Sequence, residues 1–295
     1  MANEYLTYDQ VGKKEDVSSI ITMLTPTDTP FTSMIKSEKV NARVFEWQED
    51  SIRNSAANAK VEGAAFATVA RAATTLRSNT TQILSDTFMV SATGDAIKLH
   101  GRASETALQL GKALKAIKLD LEKAFVGVDN ASVTGDSSTA REMASATQQI
   151  TTTVDAGSNA TDPLTEAKIL DLAEDCYDNG SDPSVLMVKP ADARIVAEFA
   201  TATGRNREHA QTKTLVNTID LLVTPFGSFN LVLNREQLAT HAFLIDPAMW
   251  RSAVLRPFTR TLLGKDSDGD KHAIVGEYSL KNMDPAADGL INGSS

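Results

Sequence analysis

The chain has 295 residues, enough for one large domain or two modest ones. Apolar residues make up 42%, as in an ordinary globular protein, but aromatics only 5%, so Leu, Ile, Val, Met and Ala must carry the packing. A net charge of −9 without any basic block argues against binding that depends on neutralising many phosphates, and no apolar run approaches the roughly 20 residues that cross a bilayer.

The opening, MANEYLTYDQVGKKED, lacks the apolar stretch of a secretory signal, which points to a cytoplasmic origin. The next segment, DVSSIITMLTPTDTPFTSMIKSEKVNARVFEWQED (Asp16–Asp50), strings apolar anchors along the chain: Ile20, Ile21, Leu24, Phe31, Met34 and Ile35. Thr25-Pro26 and Thr29-Pro30 interrupt it, because each proline removes a backbone donor and extends the residue before it. Such a segment cannot build a core alone. It must lie on its own domain or on another copy of the chain.

Residues 51–75, SIRNSAANAKVEGAAFATVARAATT, offer only Ile52, Val61, Phe66 and Val69 as anchors. Burial at about 25 cal/mol per Å2 of apolar surface cannot offset the ordering of so many small residues. Strand-like stretches flank them, Ala42–Glu49 and Thr74–Phe88. Together these read as a long two-stranded ribbon with a loose tip. An isolated ribbon is marginal in water and needs a neighbour to pack on.

The strongest helical pattern spans Asp95–Val126, with Leu99, Ala103, Leu110, Leu114, Ile117, Leu121 and Phe125 at three- and four-residue steps. Thr93 or Asp95 is the expected cap. A single helix of that span would be about 48 Å long, a spine across a plate-like subunit. Asp129–Asp162, rich in Ser, Thr, Ala, Asn and Gly, reads as a linker or surface excursion, with Gln148–Val154 as an edge strand.

An α/β module with a mixed sheet follows. Its helices are Leu164–Asp178, stopped by Asn179-Gly180, and Ala191–Ala200, opened by Pro190. Its strands are Val185–Val188, Ile219–Val223, Phe229–Leu233 and Ala242–Ile245, with a turn at Pro225-Phe226-Gly227. The tail returns to strands, Arg256–Leu263 and His272–Leu280, around the turn-rich GKDSDGDK. The last residues, LKNMDPAADGLINGSS, are expected to be at best half ordered.

Chemistry-bearing motifs are scarce. There is no Walker loop, dinucleotide fingerprint, HExxH or GxSxG. The four histidines, His100, His209, His241 and His272, are scattered. Cys176 is the lone cysteine, so no internal disulfide forms, and it falls on an apolar helix face as a core residue. Asp266, Asp268, Asp270 and Glu277 match the first, third, fifth and twelfth positions of a calcium loop. Lys271 stands where that loop needs glycine, and strands rather than helices flank it, so a polar hairpin tip is the preferred reading. No catalytic, cofactor or metal residue is expected. A metal-dependent hydrolase on this acidic pattern is the one enzyme class with any candidate.

DVSSIITMLTPTDTPFTSMI followed by FEWQED resembles the start of tailed-bacteriophage major capsid proteins with the Hong Kong 97-type fold. The long helix near residue 100, NREQLATHAFLIDPAMW (Asn234–Trp250) and GDKHAIVGEYSLKNMDPAADGLING (Gly269–Gly293) fit in order, so the resemblance spans nearly the whole chain. It implies an α+β fold in four parts. Residues 1–38 would be an N-terminal arm and 39–90 an extended β-hairpin loop. Residues 91–160 and 248–295 would form a peripheral domain with the spine helix, and 161–247 an axial domain.

The function so implied is structural, not enzymatic. Pentamers and hexamers would self-assemble into an icosahedral shell around double-stranded DNA, with scaffolding and portal proteins as partners. The shell would form in the bacterial host cytoplasm and reside in the virion, with no membrane partner. On this reading Ile20, Ile21, Leu24 and Phe31 bury against a neighbouring subunit, and Glu62, Arg71 and Arg77 make ion pairs at the rim. Some shells of this fold crosslink through Lys and Asn, but no lysine here, Lys60 included, matches that chemistry. The alternatives are an encapsulin-like nanocompartment of the same fold and the hydrolase above.

Overall fold

The structure is a computed structural model and describes residues 28–53, 55–65, 68–97, 104–155, 164–202, 221–265 and 267–293. In chain order the elements are α1 (Pro30–Met34), β1 (Lys36–Lys39), β2 (Val44–Glu49), β3 (Thr75–Thr80), β4 (Gln82–Ser91), α2 (Ala92–Ala96) and α3 (Glu105–Val126). Then follow α4 (Ala146–Gln149), β5 (Thr152–Asp155), α5 (Glu166–Asp178), β6 (Val185–Val188) and α6 (Pro190–Ala202). The last are β7 (Leu221–Thr224), β8 (Gly227–Leu233), β9 (His241–Ile245), β10 (Trp250–Leu262), β11 (Gly269–Asn282) and β12 (Gly289–Asn292).

Two sheets and a ribbon organise these elements. One sheet runs β1-β10-β11-β4 around the long antiparallel hairpin of β10 and β11. The other runs β5-β12-β9-β6-β8-β7 and mixes parallel and antiparallel pairs, as expected for the α/β module. The ribbon is β2 paired with β3.

The central strands of the six-stranded sheet are apolar without alternation because both faces are covered. Val185, Met187, Phe243, Ile245 and Leu290 enter one core, with Phe31, α3 and Trp250. Leu186, Val188, Ala242, Leu244 and Ile291 enter the second, with Ile169, Leu172, Ala173 and Cys176 of α5 and Val196 of α6. This is the period of two that a strand imposes, here apolar on both sides.

On α3 the buried apolar positions are Ala113, Ile117, Leu121, Ala124, Phe125 and Val126, most of them on one stripe at helical spacing. The stripe packs against Leu84 and Ile274 of the four-stranded sheet in the same core. The helix is shorter than its pattern suggests: 22 residues, about 33 Å. It starts at Ser104, whose extended backbone and hydroxyl, accepting from the Ala107 N–H at 3.1 Å, form a new cap. Asp95 does not cap a continuous helix. It lies within the short α2, and its carboxylate accepts from the Thr106 N–H and hydroxyl at 3.1 and 2.8 Å. Leu99 and Ala103 lie outside the described residues.

Three further expectations change. The stretch Thr74–Phe88 is two strands, broken where the Thr81 N–H bonds the Arg43 carbonyl, so β3 stays in the ribbon while β4 pairs with β11. The polar Asp129–Asp162 region is partly core: Met143, Ser145, Ala146, Thr147, Gln149 and Ile150 are buried. Its polar groups are satisfied internally. Asn79, for example, donates to the Ala144 carbonyl and accepts from the Ala144 N–H.

The chain's end is ordered through Gly293, since β12 inserts between β5 and β9 with Leu290 and Ile291 buried. Gly289 permits this, because a Cβ there would lie 2.6 Å from the Leu172 side chain. Thus β1 and β4, expected in the arm and extended loop, belong to the four-stranded sheet, and β12 belongs with the α/β module. The stop at Asn179-Gly180 is as expected, with Gly180 in the left-handed region at φ 83°.

Candidate assembly surfaces

The ribbon is rooted but not covered. At its base Val40, Phe45 and Ala253 form a small buried cluster, with Trp47 and Leu255 packed on it. The Phe45 and Trp47 rings stack at 5.6 Å, and the Lys281 ammonium lies 5.9 Å from the Trp47 ring. Beyond that root every described residue from 50 to 76 is exposed. Ile52 is 92% and Val61 82% exposed, with Val69 and Leu76 also open. Large apolar side chains therefore lie open along a two-stranded projection.

A second set of exposed apolar residues lies on the four-stranded sheet. Ile83 and Met89 of β4 and Leu262 of β10 are about half exposed or more. Burial alternates along β4, with Leu84 and Val90 buried and Ile83 and Met89 open, as a strand with one covered face requires. Tyr177 and Val223 add exposed apolar surface on the six-stranded sheet's side.

Phe31, expected to bury against a neighbouring subunit, is buried within its own chain. It has no exposed surface and packs edge-on against Phe125 at 6.0 Å and Trp250 at 5.6 Å of its own chain. The reason is Glu122, a buried carboxylate on α3. It accepts from the Phe31 and Thr32 N–H groups at 2.8 Å, the Thr32 hydroxyl at 2.5 Å and the Asn234 amide at 2.7 Å. These bonds hold α1 against the spine helix where Phe31 inserts. From Asp28 onward, therefore, the segment lies on its own subunit. Ile20, Ile21 and Leu24 fall outside the described residues.

Of the charged candidates, Arg77 pairs with Glu49 across its own ribbon at 2.9 Å, so its partner is internal. Glu62 and Arg71 are exposed on the tip.

The calcium-like pattern dissolves into strand contacts. Asp266 lies outside the described residues, Asp270 pairs with Lys265 at 2.7 Å, and Glu277 is held by Arg256 and by Arg141 at 3.3 Å. No group of three or more metal-ligating side chains comes together among the described residues. Cys176 is fully buried, and burial, with Asp288 and Asp175 nearby, pushes its thiol up to about 12. Among the described residues no helix is long and apolar enough to cross a membrane.

The solved capsid of the native GTA particle superposes with a TM-score of 0.68 at 10% identity, over 98% of each chain. The holo-SrpI encapsulin from Synechococcus elongatus PCC 7942 gives 0.65 at 8% identity, over 96% of this chain and 93% of that one. At such identities these likenesses show the fold, which is of the Hong Kong 97 type. The major capsid protein of Escherichia phage Phieco32 is 30% identical, over 99% of this chain and 97% of its own length. The sequence model of the SU10 major capsid protein family matches residues 3–295. The chain belongs to the SU10 major capsid protein family.

Proposed function

We propose that this chain is the repeating subunit of an icosahedral shell, arranged as pentamers and hexamers, that encloses double-stranded DNA in the virion. The observation that carries this reading is the ribbon of residues 44–80: it roots on the subunit through Phe45 and Trp47 but leaves Ile52, Val61, Val69 and Leu76 open. It serves as the extended loop that lies over a neighbouring subunit, where Glu62 and Arg71 make rim ion pairs worth at most about 1 kcal/mol each. Ile20, Ile21 and Leu24 supply further apolar contacts to neighbours. Closed rings around the shell's axes make these contacts heterologous. The six-stranded sheet with α5 and α6 takes the axial role, and the four-stranded sheet with α3 the peripheral one. Assembly proceeds in the bacterial host cytoplasm with scaffolding and portal proteins.

The negative net charge suits this role, because a container need not grip its contents. The relation to a phage capsid protein over both full chains supports DNA over an enzyme cargo. The test is to isolate particles and treat them with nuclease. Protected double-stranded DNA supports the reading; particles that hold a protein cargo and no protected DNA overturn it.

A further inference from the structure

The spine helix carries opposite chemistry on its two sides. At about 100° per residue, the buried Ala113, Ile117, Leu121 and Ala124 fall within roughly 80° of arc. Lys112, Lys115 and Lys118, all exposed, fall within roughly 120° on the other side and span about 9 Å along the axis. No arginine and no exposed aromatic residue stands on α3 beside them. Asp120 and Lys123 lie apart from the row and together line the groove against β4.

Gly111 falls between Lys115 and Lys118 around the axis, on the exposed face. Nothing lies within 4 Å of where its Cβ would stand. Glycine weakens a helix interior relative to alanine, and no packing inside the subunit asks for it here. A glycine floor among lysines suits a ligand that approaches the helix backbone closely.

Charge is also divided across the subunit. Residues of α3 share the core on one face of the six-stranded sheet, and α5 packs in the core on the other. The exposed side of α5 carries Asp171, Glu174, Asp175 and Asp178. A chain of net charge −9 thus turns a basic helix to one side and an acidic helix to the other.

We propose that Lys112, Lys115 and Lys118 of α3 contact the phosphate backbone of duplex DNA, so that the spine helix lines the inner wall of the shell. Ammonium groups on flexible stems meet phosphates as point charges, without a fixed register. A face with neither guanidinium forks nor stacking rings suits contact that ignores base sequence. Three lysines per subunit are too few to grip DNA singly; the contact gains strength by repetition over many copies. The placing of the row on an inner wall rests on the DNA-filled shell proposed above, whereas the contact itself does not.

The experiment is fluorescence anisotropy of a labelled DNA duplex of random sequence, titrated with unassembled full chain at low salt. The wild type should bind with a slope of log affinity against log salt of roughly −3. The triple variant Lys112→Gln, Lys115→Gln, Lys118→Gln should bind at least about tenfold more weakly and lose most of that slope. Gly111→Leu, which favours the helix, should melt no lower than the wild type and bind at least about threefold more weakly. Equal binding by wild type and triple variant, no duplex binding by the wild type, or wild-type binding by Gly111→Leu overturns the proposal. Poly-glutamate that displaces the duplex at equal charge concentration assigns the row to an acidic protein segment and overturns it too. Particles that hold protein and no protected DNA would remove the shell's DNA but leave this contact to be decided by the titration.

Discussion

The Glu122 carboxylate accepts the Phe31 backbone N–H at 2.8 Å, across 91 positions of sequence. That bond holds α1 to the spine helix of its own subunit. Because the same carboxylate also holds Thr32 and Asn234, it fastens α1, the spine helix and the chain after β8 at one buried point. Removing it leaves several buried donors without acceptors, each costing roughly 1–3 kcal/mol. Glu122→Ala should therefore lower unfolding free energy by at least about 3 kcal/mol, read as a drop in the urea midpoint. Glu122→Gln, which keeps one acceptor oxygen, should lose less.

Phe31 is the apolar half of the same joint. Phe31→Ala empties a space between Phe125 and Trp250 and should cost about 3–5 kcal/mol. Were the ring an interface anchor, the variant would melt as the wild-type subunit does and fail only in assembly. Thermal melts of unassembled chain distinguish the two.

The tip of the ribbon should behave in the opposite way. Ile52, Val61 and Val69 bury almost nothing within the subunit. Replacing all three with Ser should leave the urea midpoint of the unassembled chain within about 0.5 kcal/mol per site of the wild type. Shell yield, measured by sedimentation, should fall sharply.

Asp288 sets a pH dependence of defined sign. Burial raises the folded carboxyl from its ordinary 3.8 to about 7, so between those values the folded chain holds the proton and the unfolded chain does not. Its contribution is full below pH 4, falls as pH rises towards 7, and is level above. At about 1.4 kcal/mol per unit, the two units between pH 5 and the folded value should cost the wild type roughly 3 kcal/mol relative to Asp288→Asn. Denaturation of both chains at pH 5 and pH 8 measures the difference.

Gly127 ends the spine where the chain after β8 passes close. A Cβ there would overlap the Glu236 carbonyl, which is backbone and cannot swing aside. Gly127→Ala should destabilise by about 1–3 kcal/mol in the same denaturation assay.

Periodicity made most of the fold legible. The α/β module, the β10–β11 hairpin, the Pro190 and Gly180 boundaries and the buried Cys176 all follow local patterns that tertiary packing reinforces. Composition misled where polar residues are buried but satisfied. Gln149 and Ser145 bond to backbone in and beside the core, although the composition of Asp129–Asp162 reads as a linker. The tail read as loose because nothing local announces that β12 fills a slot between β5 and β9. The ribbon was visible as a stretch too poor in anchors to bury itself. Phe31 was assigned to a neighbour because Glu122, its partner on the spine, is distant in sequence and charged, a residue type that seldom enters a core unpaired.

Cryo-electron microscopy of particles formed by the full chain tests the central claim most directly. The account predicts closed icosahedral shells in which the ribbon of residues 44–80 lies over an adjacent subunit, covering Ile52, Val61 and Val69. A ribbon folded back onto its own subunit in the assembled particle, with those side chains covered internally, would contradict it.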